Sequence, residues 1–210
     1  MVDIAPPSRA ARSLTRLVAA VKRLSLAEGE ALGLTPVQAQ TILFCGRTRP
    51  DVASIGTLAR MLGASHATAV GVVDGLARRG LVRRRAKPDD RRVTLLELTE
   101  SGRQAFETLL RGQAALERAL DRLPADQRSV FEQALEMLSL ELAAAGYLLL
   151  SEPCPGCVFF QPNASPASTR PHYCRYFRLS LSDAETQLDC PKHTPIGASV
   201  AEPDGHRPRR

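Results

Sequence analysis

Between Ser54 and Gly80 two short apolar-periodic runs are each opened by a serine and closed near a glycine, a punctuation that leaves few alternatives to two short, abutting helices. Ser54 caps the first run (Ile55, Leu58, Ala59, Leu62), which Gly63 ends; Ser65 caps the second, which runs to Arg79 and stops at Gly80. Two short helices joined by so few residues form a helix-turn-helix. Leu81–Arg85 and Val93–Thr99 then alternate as strands around the polar link Lys87-Pro88-Asp89-Asp90-Arg91-Arg92, which predicts a β-hairpin.

The flanks are helical. Leu14, Leu17, Val18, Val21 and Leu24 recur at helical spacing between Ser8 and Glu30, and Thr35-Pro36 supplies an N-cap and first-turn proline for a helix ending near Gly46. Glu100 to Leu123 and Pro124 to Gly146 read as two further helices, the second with Phe131, Leu135, Leu138 and Leu142 on one stripe. The first and last helices find no place in a compact reading head, so pairing with a second copy is the expected way of burying them. The fold class is therefore mainly α with a small β-hairpin wing, an α+β winged helix-turn-helix with dimer-forming terminal helices and a small irregular Cys-rich segment. The expected boundaries are 1–150 for the winged helix and dimerisation unit, 151–193 for the Cys-rich segment and 194–210 for a disordered tail.

Charge is concentrated where the hairpin is. Lys and Arg number 28 against 22 Asp and Glu, a net +6, and Arg78, Arg79, Arg83, Arg84, Arg85, Lys87, Arg91 and Arg92 face only Asp89 and Asp90 across one short run. Behind a helix-turn-helix such a run suits phosphate and minor-groove contacts, although a solvated charged hairpin is the plain alternative. No apolar stretch is long enough to cross a bilayer and the N-terminal residues lack the apolar core of a secretory signal, so no membrane partner and a cytoplasmic location are expected.

These residues carry a resemblance. Leu58-Ala59 through Leu62-Gly63, Ser65-His66-Ala67-Thr68-Ala69-Val70, Val73-Asp74, Leu76, Arg79-Gly80-Leu81-Val82, and Asp89-Asp90-Arg91-Arg92 through Leu98-Thr99-Glu100-Ser101-Gly102 together resemble the MarR family of transcriptional regulators. The likeness runs from about Arg9 to Gly146 and is most specific from Arg79 to Gly102. It implies a homodimer on double-stranded operator DNA, a recognition helix in each of two major-groove half-sites, wings in the flanking minor grooves, and repression relieved by a small-molecule effector or a chemical modification. It also implies that Asp90 and Arg92 are the wing Asp-x-Arg, the arginine entering the minor groove and the aspartate bracing it. Ser65, His66, Thr68 and Ala69 occupy the start of the recognition helix, where side chains approach base edges; Arg85, Lys87 and Arg91 join them as DNA-binding candidates. His66 reads equally well as a plain exposed residue. Gly71 departs from the family, which often carries an arginine there, and so removes a bidentate reader of guanine.

Beyond Ser151 the composition turns to Pro, Ser, Cys and aromatic residues. Cys154-Pro155-Gly156-Cys157 is a knuckle whose two thiolates can face one ion, and Cys174 and Cys190 follow, with His172 and His193 nearby. In a reducing cytosol this clustering favours metal ligation over disulfides. Two ligand sets remain open: all four cysteines, for tetrahedral zinc or an iron–sulfur cluster, or Cys154, Cys157, Cys190 and His193 as a zinc site. Zinc, the commoner occupant of such knuckles, is slightly favoured over a cluster. Without a βαβ pattern or an acid–base constellation, catalysis is not expected; the rival readings are a thiol or metal redox protein with a helical dimerisation domain, and a non-specific architectural DNA binder. Cys45, on an apolar helix face, reads as a core residue.

Overall fold

The computed structural model describes residues 8–197; the first seven residues and 198–210, most of the expected tail, lie outside the described residues. Each predicted cap is used. Ser8 opens α1 (Arg9–Ala31), and Thr35 and Gln38 form a reciprocal capping box with Pro36 at the start of α2 (Pro36–Arg47). Ser54 and Ser65 accept amide hydrogen bonds at the starts of α3 (Ile55–Leu62) and α4 (His66–Arg78), and Gly63 closes α3 with φ +60°. The left-handed turn there is one that glycine adopts without steric cost.

The wing is longer and tighter than the alternation predicts. β1 (Val82–Lys87) and β2 (Asp90–Leu98) pair antiparallel with only Pro88 and Asp89 between them. Ala86 pairs with Thr94 but Lys87 with Asp90, an irregularity that takes Arg91 and Arg92 out of the regular ladder at the tip. Ile42, Leu58, Ala69, Val73, Leu76, Val82 and Leu96 make one core beneath the head. Gly71 lies in the interior of α4 with nothing within 4 Å of where a Cβ would stand. Gly71→Ala should therefore stabilise the free protein by about 0.5–1 kcal/mol, read as a rise of about 1–4 °C in Tm.

The single helix expected over Glu100–Leu123 is instead α5 (Glu100–Arg111) and α6 (Ala114–Leu120). The break falls at Gly112, where a Cβ would lie 2.7 Å from Glu28 Cγ and 3.1 Å from the Leu24 carbonyl oxygen of α1. Close approach to α1, which a one-dimensional pattern does not report, sets the bend. α7 (Ala125–Ala144) then runs with no buried residue. Its Val130 and Met137 are 65% and 64% exposed, and Leu17 and Val18 of α1 are also uncovered.

The Cys-rich segment is more regular than its composition suggests. β3 (Phe160–Gln161), β4 (His172–Cys174) and β5 (Leu179–Leu181) form an antiparallel sheet followed by the short α8 (Asp183–Thr186). Strands of two or three residues are too brief to leave a periodicity. The segment extends past residue 193, since the Thr194 carbonyl accepts from Val158 and Ile196 donates to Gly156. It is joined to the head through the α2–α3 loop: Asp189 donates its amide to Arg47 and accepts from Arg49, while Ala53 accepts from Leu96 of the wing and Ser54 bridges Leu95. One loop thus touches the Cys-rich segment at its beginning and the wing at its end. No helix among the described residues is long and apolar enough to cross a membrane.

Candidate nucleic-acid interface and four-cysteine cavity

The recognition helix presents a small polar face. Ser65, His66 and Thr68 are exposed, together with Ala67, but Ser65 and Thr68 are occupied with each other, their hydroxyls 2.9 Å apart and the Thr68 amide donating to Ser65 Oγ. Ala69 corrects the sequence reading: it is 0% exposed. Ala69, Val73 and Leu76 follow one another at spacings of four and three and form the inward stripe of α4, so no base edge can reach Ala69.

At the wing tip Arg92 is 87% exposed and held by Asp90 through two contacts, Nε to Oδ1 at 2.9 Å and Nη2 to Oδ2 at 3.0 Å. Asp90 Oδ1 also accepts the Arg92 amide at 3.1 Å. A planar fork fixed in this way projects a cation while limiting the side-chain entropy that contact with DNA would otherwise cost. Arg91 beside it is exposed.

Several other cations of the basic run are already engaged. Arg83 and Arg85 both bind Glu97, at 2.8 and 2.6 Å. Burial alone would raise the Glu97 carboxyl, but the two guanidiniums hold it below the ordinary range. Arg84 pairs with Asp74 of α4 at 2.6 Å, which fastens the wing to the recognition helix, and Arg79 donates to the carbonyls of Leu32 and Gly33. Lys87 is half-buried, its ammonium 5.7 Å from the centroid of the Phe177 ring in the Cys-rich segment. Arg85, still 47% exposed, is shared between Glu97 and solvent, Lys87 lies beside Phe177, and Arg91 and Arg92 stand out at the tip.

All five cysteines are free. Cys154, Cys157, Cys174 and Cys190 line one cavity with Phe159, Phe177 and other aromatic side chains. Cys154–Cys157 is a tight turn closed by the Cys157 amide on the Cys154 carbonyl, with Gly156 at φ +81° following Pro155, the arrangement of a type II turn. Neither histidine lines that cavity. His172 accepts the Asn163 amide at Nδ1 and contacts Asp183 at Nε2, 2.9 Å away, and His193 borders a different cleft, against α7. The four cysteines line one cavity, and His193 sits against the same turn, its amide on the Cys190 carbonyl, Nε2 3.4 Å from the Pro155 carbonyl and Nδ1 buried without a partner.

Arg49 was invisible to sequence reasoning. It is 1% exposed, held by both oxygens of Asp51, with Nη1 3.4 Å from Cys154 Sγ and its guanidinium carbon 5.1 Å from the Phe177 ring centroid. Burial alone would depress its pKa, but the hydrogen-bonded Asp51 carboxylate raises it above the ordinary value, so the cation persists. The only signal was an Arg two residues before an Asp, which says nothing about a partner 105 residues away. Burial pushes the thiols of Cys154 and Cys190 up, the latter to about 11. Cys45 is pushed to about 12 by burial and packs against the core, as read.

A capped helix-turn-helix with an arginine-tipped hairpin pinned to its second helix is a winged helix-turn-helix fold. Residues 32–93 match the MarR family. The chain is 30% identical over 92 residues to the uncharacterized HTH-type transcriptional regulator YfiV of Bacillus subtilis (strain 168), a match over 43% of this chain and 58% of the relative, less than two-thirds of its length. Among solved structures, a MarR protein from Peptoclostridium difficile superimposes with TM-score 0.58 at 19% identity, over 70% of this chain and 95% of the other. CouR from Rhodococcus jostii RHA1, solved bound to p-coumaroyl-CoA, does so with TM-score 0.53 at 26% identity, over 63% and 90%.

Proposed function

We propose that the protein is a homodimeric transcriptional regulator, acting as a repressor, that binds double-stranded operator DNA and whose affinity is set by a metal centre held in the four-cysteine cavity. The braced Asp90–Arg92 pair at the wing tip carries the DNA half of this reading, because a desolvation-tolerant guanidinium is the group suited to a narrow minor groove. The uncovered faces of α1 and α7 support the dimer. The loop shared by the wing and the Cys-rich segment supports the control: a change at the cysteines reaches Arg49, then the strand-like contact with β2. A small tilt is enough, since the two half-sites must stay about one helical turn, ~34 Å, apart.

A duplex selected from random sequence by the wild-type protein provides the test. In a gel-shift titration at fixed salt, Arg92→Ala should weaken binding several-fold while leaving the far-ultraviolet circular dichroism unchanged. Equal affinity of the two proteins overturns the wing assignment, and equal affinity for every duplex would make the protein an architectural binder instead.

A second reading of the signal is supported by a cleft of about 460 Å³ between head and α5, lined by Cys45, Arg83, Leu96, Arg103 and Phe106 among others. CouR, at 26% identity, is solved with an acyl-CoA ligand, and a small organic effector in this cleft would act between the reading and dimerising parts.

A further inference from the structure

We infer that the four-cysteine cavity is a site for an iron–sulfur cluster, with Arg49 as its buried counter-ion, in place of the single zinc ion that sequence frequency favoured. The inference rests on the metal-centre half of the proposed function and names the group that half leaves open.

Spacing is the first argument. Four thiolates on one zinc ion at 2.3 Å stand at the corners of a tetrahedron with edges of ~3.8 Å. Among the described residues no three His, Cys, Asp or Glu side chains are gathered to hold one metal ion. The four cysteines nevertheless surround one cavity. They come from three separate places, the Cys154–Cys157 turn, strand β4 and the Glu152–Cys190 bridge, so their separation is fixed by backbone pairing. Four thiols brought from three separate places to the wall of one cavity suit a group in which each thiolate binds a different iron or shares one of two, with sulfides between them.

The interior has room for the centre of little more than one water, about 10 Å³, while the atom-free space between the side chains, mouth included, is about 280 Å³. An organic ligand does not fit such a space. An inorganic core bonded directly to the four sulfurs would take up the larger atom-free space between the side chains, its metal atoms at bonding distance from the thiolates.

The lining has the matching polarity. It contains no carboxylate and no histidine, and its charged members are Arg49 and Lys192. A core held by four thiolates is a net anion, so a buried guanidinium beside it offsets a charge that the apolar walls would otherwise disfavour. Two donors already point at the sulfurs, Arg49 Nη1 at Cys154 and the Lys192 amide at Cys190. Such N–H···S bonds, together with aromatic shielding from solvent, are the levers by which a protein stabilises a cluster.

The test uses the full-length chain, purified without oxygen and then reconstituted with ferrous iron, sulfide and dithiothreitol, or separately with zinc. The expected result is a coloured protein with visible charge-transfer bands, and iron and acid-labile sulfide in equal amounts on every chain. Cys174→Ser should lose at least five-fold of both while remaining folded by circular dichroism, Arg49→Met should lower occupancy, and Cys45→Ser should match the wild type. The wild-type stoichiometry decides the matter even if a variant misfolds. Colourless protein with one tightly held zinc, or iron without sulfide, overturns the cluster and leaves the metal-centre reading standing. Neither metal bound overturns both. The Arg92→Ala titration is independent of each outcome.

Discussion

Placing two charges on α7, as Leu138→Asp with Leu142→Asp, should convert the proposed dimer to a monomer in analytical ultracentrifugation and reduce affinity for the selected duplex by at least ~100-fold. Both leucines are about 39% exposed on a helix with no buried residue, in a chain whose own core lies elsewhere. Such a surface is stable in water only when covered, and α1, at the other end of the unit, offers Leu17 and Val18 as matching apolar surface. The effect on DNA binding follows from linkage of two heads: once one recognition helix is seated, the second binds at high effective concentration, a gain of roughly 10²–10⁴ that a monomer forfeits. A variant that remained dimeric with unchanged affinity would remove α7 from the interface.

Gly102→Ala should produce the largest loss of stability, about 3 kcal/mol, seen as a fall of roughly 6–12 °C in Tm. An ideal Cβ at Gly102 would stand 2.0 Å from the Leu81 carbonyl oxygen and 3.3 Å from Leu98 Cβ. That oxygen is itself committed, accepting the Thr99 amide at 3.1 Å, and Thr99 in turn caps α5 through the Gly102 amide. No rotamer change relieves a clash with backbone, so α5 must move away from the α4–β1 turn and break the cap. Gly71→Ala, the same substitution in open space, should shift the melting temperature the other way, so a fall for both or for neither would remove the steric argument.

What the sequence revealed depends on the range of the interaction that decides each feature. Caps are local, and Thr35, Ser54, Ser65 and Gly63 all act where the residue types placed them. The Asp90–Arg92 brace is also local, two residues apart, and its geometry follows directly. Arg85 and Lys87 show the limit: a run of cations in a string reports charge, but Glu97 and Phe177, which claim these two side chains, are brought up only by strand pairing and by docking of the Cys-rich segment. Ala69 was concealed by its size, since an alanine contributes little to an apolar stripe even when it sits at the inward phase. The four cysteines were legible as a group because their chemistry is rare. Their separation was not, because the backbone pairing that fixes it involves strands too short to leave a pattern.

The loop from Thr48 to Ser54 carries a final consequence. Its early main chain is knitted to Asp189 and its late main chain to the wing, so the appendage cannot be removed as if it were a tag. A chain ending at Leu150 would lose both Asp189 bonds and the cover over a guanidinium that is otherwise almost inaccessible to water. The shortened protein would have a slackened wing root, and a DNA titration on it would understate the affinity proposed for the chain that carries the appendage.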